Sequence, residues 1–228
     1  MPQQDEFEFN QIQAEVWQGS VILHLGTKKT GKTTYTSKFI KKWLKKGKGV
    51  LVYDINNHAN FKDVRRIEIN DIDYWNNKGI VKINDIHIWE LIAKIVERVR
   101  NTLLVFDDAT PYFKGNLPII VEEMLLQSRN HCNDFFINMH DFRSPAPALF
   151  SFSDFMILRD TDEDWDDLPS KCLKPKLYGK YLRDIQEENS ILHPKKAGKQ
   201  VPQLAYREID RGLPYVKKII RKIDGTTL

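Results

Sequence analysis

The 228 residues are enough for one ordinary domain with appendages, and a 41% hydrophobic content is enough for a sizeable core. A charged fraction of 29% and a net charge of only +4 argue against disorder and against a membrane-embedded protein. No apolar run approaches the roughly 18–20 residues that span a bilayer.

Residues 1–13 are polar and acidic with no Lys or Arg, unlike a secretory signal. The first apolar run, SVILHL (20–25), stops at Gly26 as a buried strand does before a turn. From Lys32 to Lys46, Tyr35, Phe39, Ile40, Trp43 and Leu44 recur at helical spacing, while Lys38, Lys41, Lys42, Lys45 and Lys46 fill much of the other surface. Gly47 and Gly49 end this helix, and GVLVYD (49–54) returns as a second buried strand. Strand, glycine-containing loop, helix and strand make a βαβ unit, so a parallel sheet is expected.

RIEI (66–69) and IVKI (80–83) read as two shorter strands. Asp85 is an expected N-cap for a helix to Arg100, with Ile88, Leu91, Ile92, Ile95 and Val99 facing inward. TLLVFDD (102–108) is a hydrophobic strand ending in two acids, and IIVEEMLLQSRN (119–130) is the next helix. FFINMH (135–140) and DFMILR (154–159) are the last core strands, joined through SPAPAL. The alternation implies an α/β fold with helices covering a mainly parallel sheet.

Beyond Arg159 the sequence becomes acidic and turn-rich, then proline-punctuated. Residues 161–228 are expected to form an appendage with short helices, one near 177–188. That leaves a 1–19 extension and a 20–160 core. Residues 171–228 carry 14 Lys+Arg against 6 Asp+Glu, whereas 1–170 carry 21 against 25. This basic tail suits either an anionic partner or a merely solvated extension. The two cysteines, Cys132 and Cys172, stand in no metal-ligand spacing, so the chain reads as cytosolic with reduced thiols, and no zinc site is expected beside His131.

GTKKTGKT (26–33) matches G-x-x-x-x-G-K-[ST] in full. In such a P-loop the backbone N–H groups wrap the phosphates of a nucleoside triphosphate, and the following helix points its positive end at them. The expected nucleotide-binding residues are Gly26, Thr27, Lys28, Lys29, Thr30, Gly31, Lys32, Thr33 and Thr34. Lys32 would reach the β/γ-phosphates, the Thr33 hydroxyl would ligate Mg²⁺, and Gly31 would allow close backbone approach. The motif's place between a strand and a helix is the context that gives it meaning.

TLLVFDD carries Asp107 to the carboxyl edge of the sheet, where such folds hold their nucleotide. Asp107 is expected to hold Mg²⁺ through a water, and Asp108 to orient or deprotonate the attacking water. An acid pair at a strand end also simply caps strands in solvent. Room exists for a strand inserted between the P-loop strand and the Asp107 strand, the additional-strand arrangement of ATP-hydrolysing P-loop proteins. His140 ends the next strand, where a polar sensor of the γ-phosphate would stand; a surface histidine is the plain alternative. Arg129 suits an arginine finger for a neighbouring subunit, or a helix C-terminal Arg favoured by the dipole.

Five stretches in order resemble the FtsK–HerA superfamily of P-loop ATPases: GTKKTGKT; VLVYDINN, where the strand ends in Asp54; LLVFDDATPYF; LLQSRNHCNDFFINMHDFRSPAP; and FMILRDTDED. The likeness covers about residues 20–165 and is nearest to the compact ATPases of viruses, phages and mobile elements. Many relatives carry Glu where Asp108 stands and Gln or another polar residue where His140 stands. The resemblance implies a ring, hexameric or pentameric, that hydrolyses ATP with Mg²⁺ to translocate or package double-stranded DNA. It also implies a capsid or portal partner and a location in the host cytoplasm or virion. A Zot-like assembly ATPase of filamentous phage is the rival within that family, although those relatives usually carry a transmembrane segment. A nucleotide-gated DNA-binding switch and a small-molecule kinase are the rivals outside it.

Overall fold

The structure, a computed structural model, describes residues 19–192, 206–210 and 216–219. Residues 1–18, and with them the expected absence of a signal, lie outside the described residues, as do Lys195, Lys196, Lys199, Arg221 and Lys222 of the basic tail.

Apolar runs too continuous to be half-exposed become strands buried on both faces. β1 (Val21–Leu25), β2 (Gly49–Tyr53), β4 (Thr102–Phe106) and β5 (Asp134–Met139) are buried at every position. With β3 (Ile80–Ile83) and β6 (Phe155–Leu158) they form six parallel strands in the order β3-β2-β4-β5-β1-β6. This is the α/β three-layer fold of P-loop NTPases. β5 stands between β1 and β4. The inserted strand is therefore β5, which follows Asp107 in sequence.

Alternation along the strands sorts side chains onto two faces. Ile22, Val50, Val52, Leu103, Val105 and Phe136 pack with Phe39, Ile40 and Trp43 of α1 (Lys32–Lys45). Leu23, Leu51, Leu104 and Ile137 belong to the opposite cluster, which takes in the buried residues of α2 (Ile88–Arg98), α3 (Ile119–Leu126) and α4 (Pro147–Phe152). Tyr178, Leu182 and Ile185 of α5 (Pro175–Leu192) join that same cluster. β7 (Tyr206–Asp210) and β8 (Val216–Ile219) extend the sheet beyond β6 as an antiparallel pair.

Local expectations failed in three places. RIEI is not a strand: Arg66 makes one isolated bridge to Lys82, and the chain then turns into a 3-10 helix, Ile69–Tyr74. Its apolar residues are buried all the same: the Ile67 N–H donates to Lys82 O at 3.0 Å, and Ile69 opens the 3-10 helix. Asp85 does not cap α2; His87 occupies that position, and Asp85 Oδ1 accepts from the His87 N–H instead. The helix ends at Arg98, but all five expected inward residues are buried. SPAPAL is more than a connector, since Pro147 begins the short helix α4.

Candidate active site

The carboxyl ends of β1, β4 and β5 converge beneath the first turn of α1. Burial at the loop between β1 and α1 forces glycine at Gly26, where a Cβ would lie 2.7 Å from Arg159 Cβ and 2.8 Å from Thr30 Oγ1. Gly31 sits at φ 85° as the residue before α1, a left-handed conformation that glycine adopts without steric cost. The Gly26 and Thr27 N–H groups donate to Met139 O (3.2 Å) and Asp160 O (2.9 Å). These two amides are therefore engaged inside the protein, and a phosphate cradle falls to the amides that follow them. Lys28, Lys29 and Thr34 are exposed, whereas Thr30 is buried and donates to Thr27 O at 2.8 Å.

Lys32 is 8% exposed. Its ammonium donates to Gly26 O, to Thr27 O at 2.8 Å and to His140 Nδ1 at 3.3 Å. Burial lowers its pKa to about 8 against the opposing pull of Asp107. Thr33 Oγ1 lies 3.4 Å from both oxygens of Asp107. Asp107 is itself buried, which pushes its carboxyl above the usual range, and it accepts from Asn138 Nδ2 at 2.6 Å.

Asp108 follows in a left-handed conformation, φ 53°, uncommon for any residue with a Cβ but tolerated by Asp. Its carboxylate has partners of its own. Oδ1 meets His140 Nε2 at 2.6 Å and Oδ2 accepts from Asn56 Nδ2 at 2.8 Å. The hydrogen bond with His140 holds the carboxyl below the usual range and keeps it an acceptor.

The structure thus brings Lys32, Thr33, Asp107, Asp108 and His140 together. It does not bring Arg129 to them. Gly19 packs so closely on Arg129 that a Cβ would lie 2.4 Å from Arg129 Cα, which puts Arg129 at the amino end of β1. The length of β1, roughly 16 Å, separates that end from the loop. There Arg129 pairs with Asp154 at 3.3 Å. The arginine beside the loop is Arg159, 4% exposed, whose Nη1 donates to Thr30 O at 2.9 Å. Sequence reasoning missed Arg159, His24, Asn138 and Asn56. The signal was there for two of them: His24 and Asn138 are the polar interruptions in otherwise apolar strands.

Six parallel strands in this order, with a loop leading from a buried strand into a helix, define a P-loop NTPase fold. Compared by sequence, the chain matches no family model and no curated protein. Compared by structure, it is similar to the genome packaging NTPase B204 of Sulfolobus turreted icosahedral virus 2. In complex with sulfate the TM-score is 0.66 at 17% identity, covering 90% of this chain and 96% of that one. In complex with ATP-gammaS the values are 0.65 and 19%, with 90% and 97% covered. The conjugation coupling protein TcpA of pCW3, with ATPgS, aligns at a TM-score of 0.57 and 10% identity, covering 90% of this chain and 60% of that one. At these identities the likeness is one of fold, over nine tenths of this chain.

Proposed function

We propose that the chain is an ATPase that uses ATP hydrolysis to move or package double-stranded DNA, working as a ring of like subunits. The observation that carries this reading is the convergence of Lys32, Thr33, Asp107, Asp108 and His140 at one sheet edge, under the positive end of α1. The fold it shares with a DNA-packaging ATPase supports the choice of polymer. Among the described residues no helix is long and apolar enough to cross a membrane.

On this reading Lys32 exchanges the Gly26 and Thr27 carbonyls for the β/γ-phosphates. Anionic phosphates beside it would oppose the burial that lowers its pKa to about 8. The Thr33 hydroxyl and Asp107 carboxylate are hard oxygen donors close enough to address one ion, which suits Mg²⁺, a metal that takes few protein ligands beside phosphate oxygens. Mg²⁺ bound there would neutralise charge on the phosphates. Asp108, held as a carboxylate, orients the attacking water, and His140 links it to Lys32. Arg129 lies too far from its own loop to act there, so a finger role requires a neighbouring copy. The core of 20–160 holds every one of these residues; 161–228 is left for contact with a capsid or portal, and the host cytoplasm or virion is the expected location.

The test is steady-state ATP hydrolysis with and without random-sequence duplex DNA, with Lys32→Ala as control. A motor hydrolyses ATP faster on DNA, and Lys32→Ala loses both rates. DNA binding without stimulated turnover would favour a nucleotide-gated switch. Turnover indifferent to DNA would favour an assembly ATPase, and wild-type rates in Lys32→Ala would sink the site itself.

A further inference from the structure

Four polar side chains cross the sheet in a row under α1. The strand order β4-β5-β1-β6 sets them side by side: Asp107 after β4, Asn138 on β5, His24 on β1 and Arg159 after β6. His24 and Asn138 are directly paired in the ladder. All four are buried, at 7%, 0%, 0% and 4% exposure in that order. Burying so many polar groups is costly unless each is paired, and a half-satisfied row would be worse than an apolar one.

Every link is made, and the direction of every link is fixed. Arg159 can only donate; its Nε–H reaches His24 Nε2 at 2.7 Å. His24 therefore carries its proton on Nδ1 and donates to Asn138 Oδ1 at 2.9 Å. That contact orients the Asn138 amide, so Nδ2 faces Asp107 Oδ1 at 2.6 Å and Thr36 Oγ1 at 3.1 Å. A donor-only group at one end and a carboxylate at the other allow one polarity only. The reversed amide would set Asn138 Oδ1 against the carboxylate. Arg159 also holds the Thr30 carbonyl, tying the loop to the same row.

We propose that Arg159 and His24 are positioning residues for Asp107: acting through Asn138, they hold the carboxylate in the orientation that faces Thr33. This rests on the reading of Asp107 as a Mg²⁺-holding group. Loss of a partner behind a metal ligand typically lowers metal affinity 10–100-fold. His24→Phe keeps an aromatic ring but removes both hydrogen bonds and frees Asn138 to turn. His24→Gln can still accept from Arg159 and donate to Asn138.

The experiment measures binding of a fluorescent ATP analogue as Mg²⁺ is titrated, and separately in EDTA. In His24→Phe the Mg²⁺ concentration at half-effect rises about tenfold or more, the EDTA affinity stays at the wild-type value, and His24→Gln restores most of the difference. Arg159→Lys, which keeps the charge but loses the Nε–H, shifts the same midpoint and serves where His24→Phe fails to fold. Unchanged Mg²⁺ midpoints in folded variants overturn the proposal. So does an equal loss of EDTA affinity, which would mean that the row holds the loop and not Asp107. If Asp107→Ala itself leaves the midpoint unmoved, the assignment of the carboxylate fails, and that arm identifies the failure as such.

Discussion

His140 bonds Asp108 through Nε2 at 2.6 Å while its Nδ1 lies 3.3 Å from the Lys32 ammonium. An ammonium can only donate, so Nδ1 accepts and the ring's one proton points at Asp108. The histidine thus connects the lysine expected on the phosphates with the acid expected on the water. Asp108 is held on its other oxygen by Asn56.

Asp108→Asn is expected to keep nucleotide binding while lowering kcat by roughly 10²–10⁴, the usual range for a lost general base or water-orienting acid. His140→Phe removes the aiming partner but leaves the carboxylate, so kcat falls less, with a small change in KM. Pre-steady-state and steady-state ATP hydrolysis on the same preparations separate the two effects. Normal turnover of Asp108→Asn would remove it from the mechanism.

The distance of Arg129 from its own loop yields a second expectation. If Arg129 acts on a neighbouring site, specific activity rises with protein concentration, and Arg129→Ala lowers turnover without weakening nucleotide binding. Mixing Arg129→Ala with Lys32→Ala recovers activity above the sum of the two alone, because a mixed interface can join an intact loop to an intact arginine. Concentration-independent turnover with no recovery leaves Arg129 as the partner of Asp154 and nothing more.

The buried His24 ring makes stability depend on pH in a defined direction. Burial first, then the positive charges of Arg159 and Lys32, hold its pKa well below 6.5, so it is neutral in the folded protein. The unfolded chain takes up a proton below about 6.5. The folded state is therefore not penalised above that pH and loses stability as pH falls below it, by up to ~1.4 kcal/mol per unit for this one group. Asp107 and Asp134, raised by burial, act in the opposite sense at more acidic pH, so the comparison must be with a variant. Urea unfolding at pH 7.5, 6.5 and 5.5 is expected to show a shallower loss for His24→Gln than for wild type. Parallel losses would contradict a neutral buried histidine.

Much of this was legible from periodicity and motif. The mainly apolar runs at 21–25 and 102–106 read as buried strands, and the loop motif between a strand and a helix marked the edge of the sheet that matters. RIEI was misread because alternating isoleucines fit a strand, yet only one bridge forms before Ile69 opens the 3-10 helix. The order of strands was not legible either: that β5 enters between β1 and β4 depends on long-range packing. That order is also what brings His24, Asn138 and Asp107 into one row. A single polar residue inside an apolar strand announces that something is buried with it, but not with what.

The lysines of α1 give the last expectation. α1 is 14 residues long and has no Asp or Glu, while Lys38, Lys41, Lys42 and Lys45, with Lys46 just beyond it, are exposed. Several of these stand three or four residues apart on one helix, where like charges repel by roughly 0.2–0.5 kcal/mol per pair. A phosphate backbone would relieve that repulsion. The same helix begins at Lys32 and Thr33, so a load on its lysines acts on the site through one rigid element. Each phosphate contact on duplex DNA contributes about −0.9 to the slope of log affinity against log salt. Replacing Lys38, Lys41 and Lys45 together by Gln should flatten that slope by up to about three times this amount, and basal ATP hydrolysis should persist while DNA stimulation falls. Fluorescence anisotropy of a labelled random duplex across a salt series measures the first effect, and coupled ATPase assays the second. An unchanged slope would shift the grip to the basic residues of 171–228, where Lys217 and Lys218 lie on β8 and the rest of the cluster at 195–199 and 221–222 lies outside the described residues. Replacing Lys195, Lys196 and Lys199 by Gln would then flatten the slope instead.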